Sequence, residues 1–480
     1  MKAARRFVIL LALAAGVALA FRAWGDDDTL PNFNAPVDNT PLNVDKVNRF
    51  LGLSLFQGPS LWDEDDIFVA KRLGWPEQSR TFSQSSYRLY PTEANPVSVL
   101  GARAYSCAFY ATRGRPTEVS IVFVNEGDYG YTQRVLQEAE LLKPPGDSAP
   151  APPPPPEVND GTDEPVKVPD PIDSLDPEIR SEAERKVQDA FDKALSQDTQ
   201  TITDALTRLF GDPVHQGFGG GTETRERVMR WDWQGHAFLL STPRDTYATL
   251  RIVPVAFADD YGTAETVAHD DLKTLLLKNV RQADSGDVVV SEIPMVNQGP
   301  KGYCVPATWE RYLRYLGIPA DMYVLAMAAD TSRKGTDLDA MVQNVGSLVT
   351  LYHRRIDTFS GDLDMKVIAK NIDVGLPIMW TCSFHLPFEK AITKRMLDRK
   401  AVTDWNAWAA KLAGGDDAEI AGEITKTPIA GGHQRMIIGY NEKTQEIAIS
   451  DSWSEAYAIR WMTFREANAI SSGQFYVISF

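Results

Sequence analysis

An α+β fold in two parts is what this sequence predicts, and three observations carry the prediction. A helical apolar pattern begins at Cys304, strand-like apolar runs flank a polar turn near His433, and a proline-rich tract separates two upstream stretches that resemble each other. The chain has 480 residues, 43% hydrophobic and 24% charged, enough for two or three domains with cores of their own. Three cysteines cannot build a disulfide framework. A formal net charge of -16 argues against a general nucleic-acid binder, which needs a basic face.

The first residues set the expected compartment. Lys2, Arg5 and Arg6 precede an uncharged apolar run from Phe7 to Phe21, with small residues at Ala18 and Ala20. This is the pattern of a signal peptide over residues 1–20, cleaved after Ala20; an uncleaved anchor is the rival reading, disfavoured because the run is shorter than the ~20 residues that span a bilayer. Residues 21–44 read as a flexible N-terminal segment. The mature protein is expected to be extracytoplasmic, periplasmic or secreted, with no stable membrane insertion. In an oxidising compartment an odd cysteine count leaves at least one of Cys107, Cys304 and Cys382 free or paired between chains. A Cys107–Cys382 disulfide is formally open and leaves Cys304 as a thiol.

Residues 45–262 read as one α+β domain. Arg-Leu-Gly-Trp-Pro at 72–76 and Arg-Leu-Phe-Gly-Asp-Pro at 208–213 each end a stretch of helical apolar spacing. Cys107–Val124 aligns without gaps on His236–Val253, both as hairpins, matching Arg115 with Arg244, Thr117 with Thr246 and Ile121 with Leu250. The match suggests an internal duplication. Between the halves, residues 143–178 hold twelve of the thirty prolines and little to bury, the composition of a disordered insert. Helical spacing is expected near Pro177–Ser196 and Ala264–Gln282, the latter within a connecting helix at 263–285. His215, His236 and His269 lack metal-ligand spacing, and Gly219-Gly220-Gly221 lacks the Lys-Ser/Thr of a phosphate loop. No role for this half is legible.

The chemistry lies in residues 286–480. A polar loop with Gly and Pro ends at Cys304, followed by Val305, Trp309, Tyr312, Leu313 and Leu316 at helical spacing until Gly317 and Pro319. Cys304 therefore opens a helix, where unpaired N–H groups and the dipole favour a thiolate. Pro306 suits the first turn. Downstream, His433 opens one strand-like run and Asp451 closes the next, so an antiparallel hairpin brings both to the same end. Nucleophile, base and orienter then occur in one domain. Cys382 and His385 lie three apart but lack a second ligand pair, and read as a strand end with a local turn. Residues 386–428, with Trp405 and Trp408 on one helical face, read as an insert that either borders the cleft or decorates the periphery.

These motifs resemble the papain-like cysteine peptidase superfamily, nearest the bacterial double-glycine leader peptidase-like, bacteriocin-processing-type branch. Gln298 lies six residues before Cys304, where papain-type enzymes place the oxyanion-hole glutamine, and His433 and Asp451 follow Cys304 by 129 and 147 residues. Val305 stands where papain has Trp, and Asp451-Ser452-Trp453-Ser454 stands where papain has Asn-Ser-Trp-Gly. The resemblance implies a helical lobe bearing the Cys helix and an antiparallel sheet bearing His and Asp. It also implies Cys304 as nucleophile, His433 as base, Asp451 as orienter, Gln298 in the oxyanion hole and Trp453 shielding the His–Asp bond. It implies hydrolysis of peptide bonds in a peptide or protein substrate, without a cofactor or metal. A transglutaminase-like or other thiol acyltransferase is the alternative enzyme, and an inactive papain-fold binding protein the alternative outside catalysis.

Overall fold

The computed structural model describes residues 42–142, 171–299, 301–331, 335–413, 424 and 431–480. The expected signal peptide and most of the proline-rich insert lie outside the described residues.

Local signals start the first half. Asp65 caps the Asp66–Leu73 helix by accepting the Ile67 N–H, and Gly74 ends it at a positive φ of 70° that suits glycine. The strands that follow are β1 (Glu77–Arg80), β2 (Gln84–Leu89), a small β3–β4 hairpin (Val97–Val99, Ala102–Ala104), β5 (Ser106–Thr112) and β6 (Arg115–Asn125). The Pro177–Phe210 helix precedes the second set. Its N-terminus is capped by Asp176, which accepts the Glu178 and Ile179 N–H groups. Expected to stop near Ser196, it continues because Ile202, Ala205 and Leu206 prolong its buried face as far as Gly211. Then come β7 (Val214–Phe218), β8 (Glu226–Trp233), β9 (His236–Ser241) and β10 (Tyr247–Pro254).

These strands form one antiparallel sheet in the order β1-β2-β5-β6-β10-β9-β8-β7. The order reads as two four-strand halves facing each other. Register locates the symmetry: Ile121 pairs with Leu250, the two residues matched in the sequence, while Val122–Thr249 and Ser120–Arg251 exchange across that pair. A local twofold therefore passes between β6 and β10. The Pro177–Phe210 helix lies against β6, β8 and β10.

The second sheet begins at β11 (Val280–Gln282), directly after the His269–Asn279 helix. The expected helix over Ala264–Gln282 is shorter at both ends, and its last residues pair as a strand, Val280 with Val290 of β12 (Val288–Val290). With β13 (Arg355–Ser360), β14 (Ile378–Phe384), β15 (Gly431–Asn441) and β18 (Ser471–Ser479), the order is β11-β12-β15-β14-β18-β13. Strand β16 (Glu446–Ser450) pairs with β15 and with β17 (Arg460–Thr463). The Cys304–Tyr315 helix packs Trp309, Tyr312 and Leu313 into the core beside Met379, Met436, Ile437 and Tyr476. No described helix is long and apolar enough to cross a membrane. All three cysteines are free, and the formally open Cys107–Cys382 bridge is not formed, because the two thiols are buried in different sheets.

The first sheet also holds the loop that leads to Cys304. Val122 and Tyr247 pack with Tyr303, Ala307, Met322 and Tyr323. Tyr90 donates to the Asn297 carbonyl at 2.5 Å, and Ser79 Oγ accepts the Met295 N–H at 2.8 Å. Lys301 Nζ, 8% exposed as a residue, pairs with Asp128 at 2.6 Å and donates to Tyr323 Oη at 2.7 Å. Burial pulls its pKa down to about 8 although Asp128 opposes the shift.

Removing one member of a buried ion pair strands the other. Asp128→Ala should therefore lower the unfolding free energy by about 3 kcal/mol in urea titrations, and Asp128→Ala/Lys301→Met should recover most of the loss. A single variant as stable as the parent would show that the pair contributes nothing here.

Candidate active site

Cys304 is the first residue of its helix and is half-buried. Tyr303 precedes it with no side-chain cap, so the first backbone N–H groups stay directed at the thiol end of the helix. The His433 side chain and the Gln434 and Val305 N–H groups face the sulfur and favour its thiolate form. Burial alone would raise the Cys304 pKa; these donors, His433 first among them, outweigh burial and lower it.

His433 is the third residue of β15, and its Nε2 lies 2.8 Å from Asp451 Oδ1. That leaves Nδ1 for the sulfur. Asp451 follows β16, and the β15–β16 pairing returns it to the His433 end of the hairpin, as the sequence predicts. Burial disfavours a protonated imidazole, yet Asp451 and the Cys304 sulfur together raise the His433 pKa. The Trp453 ring stacks on the imidazole at 4.9 Å and 22°, and Phe384 meets both rings edge-on.

Asp451 is fully buried and would be costly alone. Arg435 Nε lies 3.2 Å from Oδ1 and Arg460 Nη2 lies 2.5 Å from Oδ2. Burial pushes its pKa up, but Arg435, the His433 hydrogen bond and Arg460 together hold it well below the usual carboxylate range. Glu389 completes the cluster, 2.9 Å from Arg435 and 2.8 Å from Arg460. Two cations and two anions thus neutralise one another beneath His433. Sequence reasoning did not find Arg435, Arg460 or Glu389. A signal existed for Arg435 alone: it lies two residues after His433, so the strand period puts both on one face.

Gln298 sits in the loop before the helix. Its backbone N–H donates to the Ser452 carbonyl at 2.8 Å, and its Oε1 accepts the Ser452 hydroxyl at 2.8 Å. Nε2 donates one proton to the Lys301 carbonyl at 2.9 Å. An amide held this way has one Nε2 proton left to offer.

The remaining sequence candidates separate from this group. Cys382 pairs with His433 across the β14–β15 ladder, but burial pushes its thiol up to about 12, as it does that of Cys107. β14 ends at Phe384 as expected, but no local turn follows: His385 is the N-cap residue of the Leu386–Lys400 helix, with its Nε2 2.9 Å from Ser383 Oγ. His236 accepts the Leu61 N–H, and His215 lies on edge strand β7. Among the described residues no group of three or more His, Cys, Asp or Glu is arranged to hold a metal. Within the 386–428 insert, the Leu386–Lys400 helix packs on β17 and supplies Glu389. Trp405 lies against Arg399, which pairs with Glu446 and Asp287, and Trp408 Nε1 donates to Glu446. Residues 414–423 and 425–428 of the insert lie outside the described residues.

Asp451→Asn removes the charge that favours the imidazolium. Alkylation of Cys304 should then need a higher pH, its midpoint moving up toward the ordinary thiol value. Stranding Arg435 and Arg460 should also cost about 3 kcal/mol of stability. An unmoved alkylation profile would mean that Asp451 does not set the charge state of the pair.

Residues 290–474 match the Peptidase_C39 like family. Among solved structures the chain is similar to the peptidase domain of Streptococcus ComA, described as a bi-functional ABC transporter involved in a quorum sensing pathway. The identity is 11% and the TM-score 0.25, over 38% of this chain and 96% of that one. No curated protein matches the chain. The family match is confined to the C-terminal region of this chain, which is similar to Peptidase_C39 like domains and holds Cys304, His433 and Asp451.

Proposed function

We propose that this protein is a cysteine peptidase that hydrolyses peptide bonds outside the cytoplasm, after loss of the N-terminal signal segment. One observation carries the chemistry. A single imidazole bridges a helix-terminal thiol and a buried carboxylate, and that thiol alone of the three has a lowered pKa.

In this reading the Cys304 thiolate attacks the substrate carbonyl carbon, and the carbonyl π electrons move to oxygen. The free Nε2 proton of Gln298 and the Cys304 backbone N–H stabilise that oxyanion. His433 delivers its Nδ1 proton to the leaving amine as the C–N bond breaks, leaving a thioester on Cys304. Neutral His433 then takes a proton from water as the water oxygen attacks the thioester. Collapse releases the carboxylic acid and returns the Cys304 thiolate beside a protonated His433. Asp451 fixes the ring orientation throughout, and Trp453 keeps water from the His433–Asp451 bond. The Gln434-Arg435 pair that follows His433 offers no aromatic wall of the kind a transglutaminase-like site would carry.

The sign of the pH dependence follows from the two shifts. The Cys304 pKa lies below its ordinary value and the His433 pKa above its own, and both shifts favour the thiolate–imidazolium pair. Toward acid pH the thiolate is protonated; toward alkaline pH His433 loses its proton. Activity should therefore be bell-shaped in pH, with limbs that belong to the pair rather than to either residue.

Site-resolved alkylation between about pH 5 and 8 tests the reading. Cys304 should react far faster than Cys107 and Cys382, stay reactive at the acidic end, and lose that advantage in His433→Ala. Equal labelling of the three thiols would remove the proposal. Gln298→Ala should lower kcat for a peptide substrate by roughly 10²-fold while leaving Cys304 alkylation unchanged. Product masses from incubations with added amine separate hydrolysis from acyl transfer.

A further inference from the structure

A cavity of about 320 Å³ opens between the first sheet and the helical lobe, beside the residue that precedes Cys304. Its wall is aromatic. Tyr323 has its ring centre 6.0 Å from that of Tyr247 and 5.9 Å from that of Tyr303, so three phenol rings run together, with Met327 beside them. Glu126, at the end of β6, lines the same space. Its backbone N–H is bonded to the Thr246 carbonyl, but among the described residues no hydrogen bond or ion pair reaches its carboxylate. Burial pushes the pKa of that carboxylate up, and no neighbouring cation opposes the shift. Among the described residues the one cation on the rim is Arg244, already engaged by Glu223, by the Met327 carbonyl at 3.3 Å and by Asp330 at 3.6 Å. Among the described residues, then, the Glu126 carboxylate faces the cavity without a counter-charge, against a wall of π-faces.

The same rings already hold one cation. Lys301 Nζ lies 4.5 Å from the Tyr323 ring centre, and 5.1 Å from those of Tyr303 and Tyr90, with the Asp128 carboxylate as counter-charge. A carboxylate beside tyrosine rings thus occurs twice here, once around the chain's own lysine and once around an open cavity. Gly127 joins the two. A Cβ at that position would lie 2.6 Å from Tyr303 Oη, so only glycine lets the Tyr303 ring lie against the backbone between Glu126 and Asp128.

We propose that this cavity binds a primary ammonium group of a peptide, with Glu126 as the counter-charge and Tyr247, Tyr303 and Tyr323 as the aromatic walls. Attraction between a cation and the ring quadrupole adds to the charge pairing and strengthens as water is excluded. A compact ammonium suits a single carboxylate, whereas a guanidinium uses its geometry best against paired acceptors. A lysine side chain and a chain N-terminus offer the same group. That the bound peptide is the substrate of the Cys304 site rests on the peptidase reading; the binding itself does not.

Calorimetric titration of the full-length Cys304→Ala protein keeps the two ideas apart, because no turnover is needed. The probes are acetyl-Gly-Lys-Gly-amide, the same peptide with norleucine for lysine, and Gly-Gly-Gly-amide with a free N-terminus. At least one amine-bearing peptide should bind tenfold or more tightly than the norleucine peptide, and which one does assigns the source of the ammonium. Glu126→Gln should abolish that preference, and Glu126→Asp should keep part of it. Three results would overturn the site: no binding of either amine, equal binding of all three peptides, or equal loss in Glu126→Gln and Glu126→Asp accompanied by a matching fall in Tm. A wild-type protein that cleaves no peptide yet shows the preference would sink the peptidase reading and leave this site standing.

Discussion

The Cys304–Tyr315 helix is buried on nearly every side, and much of the molecule is arranged to make that tolerable. A helix so placed cannot expose its charged positions to water, so each must find a partner in the protein. Glu310 accepts from Tyr110 Oη and the Met322 N–H and pairs with Arg314, whose guanidinium lies over the Tyr110 ring at 3.7 Å. Arg311 donates to the Pro294 carbonyl and to Ser450 Oγ on the other side. The polar face that a lone amphipathic helix would give to solvent is here given to the first sheet. The two halves of the chain are for that reason one unit from Val44 to Phe480, and the helix end that carries Cys304 is held from both directions.

Electrostatic isolation is the second condition. Asp451, Arg435, Arg460 and Glu389 form a neutral quartet that keeps Asp451 ionised and its Oδ1 turned to His433. Cys304 and His433 are left as a separate pair whose opposite shifts favour opposite charges. Glu389 comes from the helix that opens the 386–428 insert, so that helix is not a mere decoration of the periphery. It packs where it supplies the second anion that two buried arginines need.

Much of this was legible from local pattern. The duplication rests on a gapless match, and the pairing of Ile121 with Leu250 gives it a geometric meaning that sequence could only suggest. Cys304 at a helix start and His433 and Asp451 on one hairpin follow from short-range periodicity and turn chemistry. The helix boundaries at Ser196 and Gln282 were misread where burial, not propensity, decided. Ile202 and Leu206 extend one helix along a buried face, while Val280 pairs with Val290 of the next strand, which is itself fixed by β15 far along the chain.

By itself the sequence marked Cys304, His433 and Asp451 as candidates at the ends of a helix and a hairpin, because the signals for each lie a few positions apart. Only the tertiary structure decided how the charges are partnered. Arg460, Glu389, Asp128 and Glu126 look alike as surface-type residues in a string, and nothing within a few residues of any of them shows which will be buried. The buried ones must meet a countercharge, and that charge comes from another element, 9 residues away for Arg460, 46 for Glu389 and 173 for Asp128. The first two find Asp451 and Arg435, the third finds Lys301, and Glu126 is the one whose carboxylate faces an open cavity.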